Sequence, residues 1–278
     1  MARAPFLDIS KAMILVAAVQ MSSGADKVRN VDTATRWIRQ AAGLGAKLVG
    51  LPEVFNWMGP ESERPSAAEA LDGPTLSRMA SLARELSVTL LAGSILEKGA
   101  PGDRLFNTSA LFGPDGARLA VYRKIHLFDV DVGDGAKYRE SAAVAPGSEV
   151  VVVDSPAARI GLSVCYDLRF PELYRAMAKD GATLITVPAA FTLMTGKDHW
   201  EVLLRARAIE NQCYVLAPAQ HGRHSERRVT YGHAMLVDPW GLVVSRASDG
   251  EGLALGALNM DLLTDIRRKL PALSHRRL

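Results

Sequence analysis

Short apolar runs alternate with helical patterns along nearly the whole 278-residue chain, and this alternation constrains the fold more than any other feature. Residues 13–19 are almost continuously apolar and offer no polar face to water, so they read as a strand covered on both sides. From 26 to 42 the residues Val28, Val31, Thr35, Ile38 and Ala42 recur every three or four positions, which predicts a helix that Gly43 and Gly45 end. Residues 47–51 form the next strand and run into Pro52-Glu53. Pro74–Leu86 predicts a second helix, with Leu76, Met79, Ala80, Ala83 and Leu86 on one face and Pro74 in its first turn. Residues 88–93 read as a strand. A hairpin follows, 107–112 and 119–123 about the turn Gly113-Pro114-Asp115-Gly116. The polar segment 129–140 is long enough for an active-site loop rather than a plain connector.

The second half repeats this layout. Strands are expected at 150–153 and 158–164, a helix at Pro171–Lys179 and a strand at 182–187. A helix over 200–211 is read with Val202, Leu203, Ala206 and Ile209 facing inward. A strand at 213–217 precedes a hairpin, 232–237 and 242–246, about Asp238-Pro239-Trp240-Gly241. A last strand spans 253–260 and a last helix 261–269. No linker or low-complexity stretch interrupts the pattern. The expectation is one domain over 1–278, with a core of about 13–260 and a C-terminal tail of 261–278. Two similar halves predict an α/β fold in which two mixed sheets pack face to face, with a helix layer over each.

Composition removes several classes of function. Hydrophobic residues make up 48% and charged residues 23%, as in ordinary globular chains. A net charge of +3, spread along the chain, gives no basic patch for nucleic acid. No apolar run approaches ~18 residues, so no membrane-spanning helix is expected, and residues 1–11 lack the apolar centre of a signal peptide. Two cysteines, Cys165 and Cys213, argue against a disulfide framework and fit a reducing compartment. A soluble cytoplasmic protein is expected.

Three ionisable groups end strands or closely follow them: Glu53, Lys124 and Cys165. In α/β sheets, sites form beyond the carboxyl ends of strands, so the three could converge. Each suits a different task. A thiolate is a nucleophile but is scarce at neutral pH, a carboxylate can take its proton, and an ammonium can favour the thiolate and later an oxyanion. The N–H of Tyr166, next after the thiol, would be a second oxyanion donor. Each group also has a plain reading: a small buried hydrophobe for Cys165, a solvated loop residue for Glu53, an exposed strand-end charge for Lys124. Residue pattern alone leaves these open.

Three local motifs carry a resemblance: Leu51-Pro52-Glu53, the stretch from Tyr122-Arg123-Lys124-Ile125-His126 to Phe128, and Gly161-Leu162-Ser163-Val164-Cys165-Tyr166-Asp167 through Glu172. In this order and at these separations, the chain resembles the nitrilase, or carbon–nitrogen hydrolase, superfamily, and the likeness continues through His199-Trp200-Glu201 and Gly232-His233 to Asp238-Pro239-Trp240-Gly241. The resemblance implies a four-layer αββα sandwich and a Glu–Lys–Cys triad, with Glu53 as base, Lys124 as oxyanion stabiliser and Cys165 as nucleophile. It implies a second glutamate, Glu140, that holds Lys124 or positions water. It implies an amidase that works through a Cys thioester and needs no cofactor or metal, and a homodimer or homotetramer joined through the helices after the nucleophile and after His199-Trp200.

The stretch from Cys165 to Phe170, Phe191-Thr192, Thr195-Gly196 and 199–208 are most similar to the branch that holds deaminated-glutathione amidase and omega-amidase. That likeness implies a small-molecule substrate bearing a carboxylate, met by Arg169, Phe191 and Thr195. Arg169 suits this because its planar fork matches a carboxylate. Its plain reading is an ion pair with Asp167 or Glu172. The basic stretch Gln220-His221-Gly222-Arg223-His224-Ser225-Glu226-Arg227-Arg228 resembles the deaminated-glutathione amidases, and a peptide-like substrate with a distal glycine carboxylate would benefit from its charge. The alternatives are an omega-amidase acting on 2-oxoglutaramate or 2-oxosuccinamate, an inactive binding protein of the same fold, and a redox protein, which would lack a resolving cysteine at CxxC spacing. His221 and His224 are three apart but have no third ligand for a metal.

Overall fold

The protein is described by a computed structural model covering residues 13–131, 137–226 and 228–277. The reading of 1–11 lies outside these residues, as do 132–136 of the polar loop and Arg227 of the basic stretch.

Two sheets form the centre. In the larger one the strands run in the order Val229–Tyr231, Ala219–Arg223, Ile14–Met21, Leu48–Gly50, Thr89–Leu91, Phe106–Phe112, Ile95–Glu97. Ile14–Met21 also pairs with Gly252–Leu258, and Phe106–Phe112 with Arg118–Arg123. The smaller sheet runs Val243–Arg246, Met235–Val237, Tyr214–Ala217, Leu184–Thr186, Arg159–Leu162, Val152–Asp154. Both are mixed. Val16 aligns in parallel with Leu48 and Leu48 with Thr89, whereas Gly252–Leu258 returns antiparallel.

Alternation along the strands explains the layering. Ala17, Val19, Val49 and Leu90 pack against Ile38, Ala41, Leu76 and Met79 of the helices Lys27–Gly43 and Pro74–Leu86. Their neighbours Val16, Ala18, Leu48 and Leu91 share a core with the second sheet. Gly50 shows how closely the sheets approach: a Cβ there would lie 2.8 Å from Pro218. The helices Pro171–Lys179 and Leu193–Asn211 cover the other face of the second sheet with Leu173, Met177, Trp200 and Leu204. The result is the expected helix–sheet–sheet–helix sandwich.

Most predicted elements appear, with ends shifted by one or two residues. The helix over 200–211 needs correction. It begins earlier, at Leu193, and turns a different face inward. Its buried stripe is Gly196, Trp200, Leu204, Arg207, Ala208 and Asn211, while Val202 is 66% and Ile209 49% exposed. Two polar residues hide this stripe in the sequence. Arg207 is buried because its Nε donates to the Leu168 carbonyl and its Nη1 to Glu210, and Asn211 donates to the Arg207 carbonyl. The basic stretch is also more ordered than a loop: 219–223 and 229–231 form a hairpin at one edge of the larger sheet.

Candidate active site

Glu53, Lys124 and Cys165 come from three separate strand ends and meet in one cavity of about 560 Å³. Each is almost fully buried, at 4%, 2% and 6% exposure. Both acid and thiol sit at strained backbone. Cys165 itself has φ 51°, a left-handed conformation that costs a non-glycine residue roughly 1–3 kcal/mol. The turn is held by the Cys165 N–H, which donates to the Pro188 carbonyl at 2.9 Å. Val54, directly after Glu53, has φ 44°, an outlier for a β-branched side chain. Gly93 supports that turn from beneath. A Cβ there would fall 2.0 Å from the Pro52 carbonyl oxygen, so only glycine lets the two segments pass.

The carboxylates surround the ammonium. Lys124 Nζ donates to Glu53 Oε1 at 2.9 Å and to Glu140 Oε2 at 2.8 Å. Glu53 Oε2 accepts the Ala190 N–H at 2.9 Å, and Glu140 Oε2 the Phe128 N–H at 2.7 Å. One residue that the sequence reading missed joins them. Asn107 Nδ2 donates to Glu53 Oε1 at 2.9 Å and to Glu140 Oε1 at 3.1 Å, while the Asn107 carbonyl accepts the Lys124 N–H at 2.9 Å. This fixes the amide orientation, since the flipped form would set an acceptor oxygen against two carboxylates. The only sequence signal for Asn107 is its place opposite Lys124 in the predicted hairpin.

Electrostatics set the resting protonation. Burial pushes Glu53 up, but the Lys124 charge and the hydrogen bond from the Cys165 thiol outweigh it, so Glu53 titrates below the ordinary carboxylate value. Burial and then the Glu53 charge hold the Cys165 thiol well above its usual range, against the pull of Lys124. Burial pulls Lys124 down, yet Glu140 and Glu53 more than reverse it and keep the lysine protonated. With two carboxylates against one ammonium, the resting cluster is a neutral thiol beside an ionised glutamate. Lys124 favours the thiolate, as expected from the sequence, but burial and the Glu53 charge outweigh it, and Glu53 is left as the proton acceptor.

Asp167, fully buried, ties the nucleophile turn to the Lys124 strand. Its carboxylate accepts the Val164 N–H, the Tyr122 hydroxyl at 2.7 Å, and both the backbone N–H and the ring Nδ1 of His126. Tyr122 and His126 flank Lys124 in sequence, so Asp167 sets the distance between cation and thiol. No hydrogen bond within the described residues takes the Tyr166 N–H at the start of the 3-10 turn Cys165–Arg169.

Of the substrate-contact residues, Tyr166, Phe191 and Thr195 line the cavity. Arg169 does not. Its guanidinium lies over the rings of Tyr166 and Phe191, at 5.8 and 5.3 Å, and contacts His199 Nδ1 at 3.2 Å. Besides Lys124, the positive charge in the lining comes from Arg64, Lys137, Arg139 and Arg228. His224 anchors the loop that carries Arg228. Its Nδ1–H donates to the Ser23 carbonyl and its Nε2 accepts from Thr230, both at 2.7 Å, which leaves no ring nitrogen free for a metal. Burial holds this imidazole neutral, down to about 4.

The four-layer fold and the buried Glu–Lys–Cys cluster define the protein's class, and the sequence profile described as Carbon-nitrogen hydrolase matches residues 15–268. The chain belongs to the carbon–nitrogen hydrolase family. It is similar to a deaminated glutathione amidase from Synechocystis, 47% identical over 94% of this chain and 97% of that one. Human omega-amidase NIT2 is 40% identical over 94% of each chain. Among solved structures, the C. elegans NitFhit protein superposes with a TM-score of 0.90 at 40% identity, over 97% of this chain and 66% of that one.

Proposed function

We propose that this chain is an amidase that cleaves a carboxylate-bearing 2-oxo acid amide, deaminated glutathione foremost, through a thioester on Cys165. The observation that carries the reading is the buried cluster in which an ionised Glu53 faces a neutral Cys165 thiol beside Lys124. As Sγ attacks the amide carbon, the thiol proton passes to Glu53, and charge developing on the carbonyl oxygen is met by Lys124 and the Tyr166 N–H. Glu53 then gives that proton to the departing nitrogen, the C–N bond breaks and a thioester remains. Water attacks the thioester while Glu53 takes its proton. The acid leaves, and the thiol recovers the proton from Glu53. Glu140 and Asn107 keep Lys124 and Glu53 in register throughout.

Cavity size and charge support the substrate. A five-carbon amide would fill only part of a space of about 560 Å³ that also presents Arg228 from the basic loop. The second reading, omega-amidase, is favoured by the presence of Phe191 and Thr195 in the cavity wall. Release of 2-oxoglutarate from deaminated glutathione and from 2-oxoglutaramate, measured side by side, tests this. A higher kcat/KM for the former is expected, and the reverse order would select omega-amidase. Neither being cleaved would favour the binding-protein alternative.

Two further features belong to this reading. Both cysteines are free thiols, which suits the cytoplasm. Val202 and Ile209 on the outer face of the helix Leu193–Asn211 are exposed, as are Trp240 and Leu242 in the hairpin whose Gly241 carbonyl accepts from Arg205 of that helix. An apolar face of this kind fits a second copy of the chain.

A further inference from the structure

We infer that Arg228 is the specificity-determining cation of the site, binding a carboxylate carried by the departing amine half of the substrate; this rests on the amidase reading above. The other cavity cations are either paired or exposed to water. Lys124 is held between Glu53 and Glu140. Arg64 pairs with Glu61 at 2.6 Å and Lys137 with Asp131 at 3.3 Å, while Arg139 is exposed to water. Among the described residues, the half-buried Arg228 guanidinium has no carboxylate or other acceptor as partner, although it lines the cavity. A half-buried cation without a counter-ion gains most from an anion brought in by a ligand.

The loop is built to hold it there. The Arg228 carbonyl accepts the His224 N–H at 2.9 Å and its own N–H donates to Ser225 Oγ at 3.1 Å, closing the turn. His224 then fastens the turn to Ser23, whose Oγ donates to the Phe55 carbonyl, two residues after Glu53. The charge of Arg228 is felt at Glu53. Glu53 must also reach the departing nitrogen to protonate it. The assignment puts Arg228, which lines the same cavity as Glu53, on the flank where the amine half leaves. In deaminated glutathione that half is cysteinylglycine, which ends in a carboxylate. In 2-oxoglutaramate it is ammonia, which has none. Arg169 does not line the cavity; it stacks on Tyr166 and Phe191 and contacts His199.

The experiment measures kcat/KM for 2-oxoglutarate release by the wild-type chain and by Arg228→Met, Arg228→Lys and Arg169→Met. Three substrates are compared: deaminated glutathione, its analogue with methyl in place of the terminal carboxylate, and 2-oxoglutaramate. Arg228→Met should lose roughly 10- to 100-fold more on deaminated glutathione than on the other two, chiefly through KM. Arg228→Lys should recover part of the loss. Equal losses on all three substrates, no loss on any, or loss of the preference in Arg169→Met instead would each overturn the assignment. A wild type that cleaves 2-oxoglutaramate but ignores the terminal carboxylate overturns this proposal alone. A wild type that cleaves none of the three removes the amidase reading, and this proposal with it.

Discussion

The proposed chemistry rests on a proton held by sulfur and a charge held by carbon-bound oxygen. Glu53 can act as base because Lys124 keeps it ionised, and Lys124 is kept at hand by Glu140. Asn107 holds the two carboxylates apart with a single amide. Asn107→Leu should therefore lower kcat by roughly 100-fold, since misplacing a catalytic group by about 1 Å costs that much, and should move the acid limb of kcat/KM as well. An unchanged pH–rate profile would show the amide to be mere filling. Cys165, Lys124 and Glu53 were legible as a set only through three motifs read together. Asn107 was not, because its meaning is its position across the hairpin from Lys124. Arg169 illustrates the opposite limit: its residue type matched a carboxylate, but its side chain stacks on two lining residues and does not line the cavity itself. The ion pairs read as its plain alternative, with Asp167 or Glu172, are not what it makes; it contacts His199 and two aromatic rings.

At the scale of elements, loops do what strands cannot. The hairpin 219–231 carries Arg228 to the cavity and is fastened by a neutral His224. With its pKa depressed from 6.5 to about 4, His224 contributes stability that is full above about 6.5 and is lost as pH falls through about 4. That shift corresponds to roughly 3 kcal/mol. The protection factors of amides in 222–230, with the intrinsic pH dependence of exchange divided out, should fall between pH 6.5 and 4 in the wild-type chain. His224→Gln, which lacks the titration, should flatten that trend. The same trend in both would assign it to another group. Strands and the first helices were readable because apolar spacing alone decides them. The face of Leu193–Asn211 was not, because Arg207 and Asn211 occupy buried positions by hydrogen bonding, and apolar Val202 and Ile209 are left outside. Spacing cannot distinguish a face turned to the core from one turned to a partner.

For the whole molecule, that outward face makes a prediction about assembly. Val202→Glu combined with Ile209→Glu should shift sedimentation from dimer or larger to monomer while the chain keeps its melting temperature within a few degrees. A wild type that sediments as a monomer would contradict the second-copy assignment. The sandwich explains why one site serves the whole chain. Two sheets facing each other bring the ends of strands far apart in sequence to a common edge, where the thiol, the base and the cation meet out of water. The central claim is that Cys165 forms the bond to substrate. It is tested most directly by comparing 2-oxoglutarate release from deaminated glutathione by the wild-type chain and by Cys165→Ala, with thermal unfolding as the check on folding. A fall of more than about 10⁴-fold with an unchanged unfolding curve is expected; near-normal turnover by Cys165→Ala would contradict it.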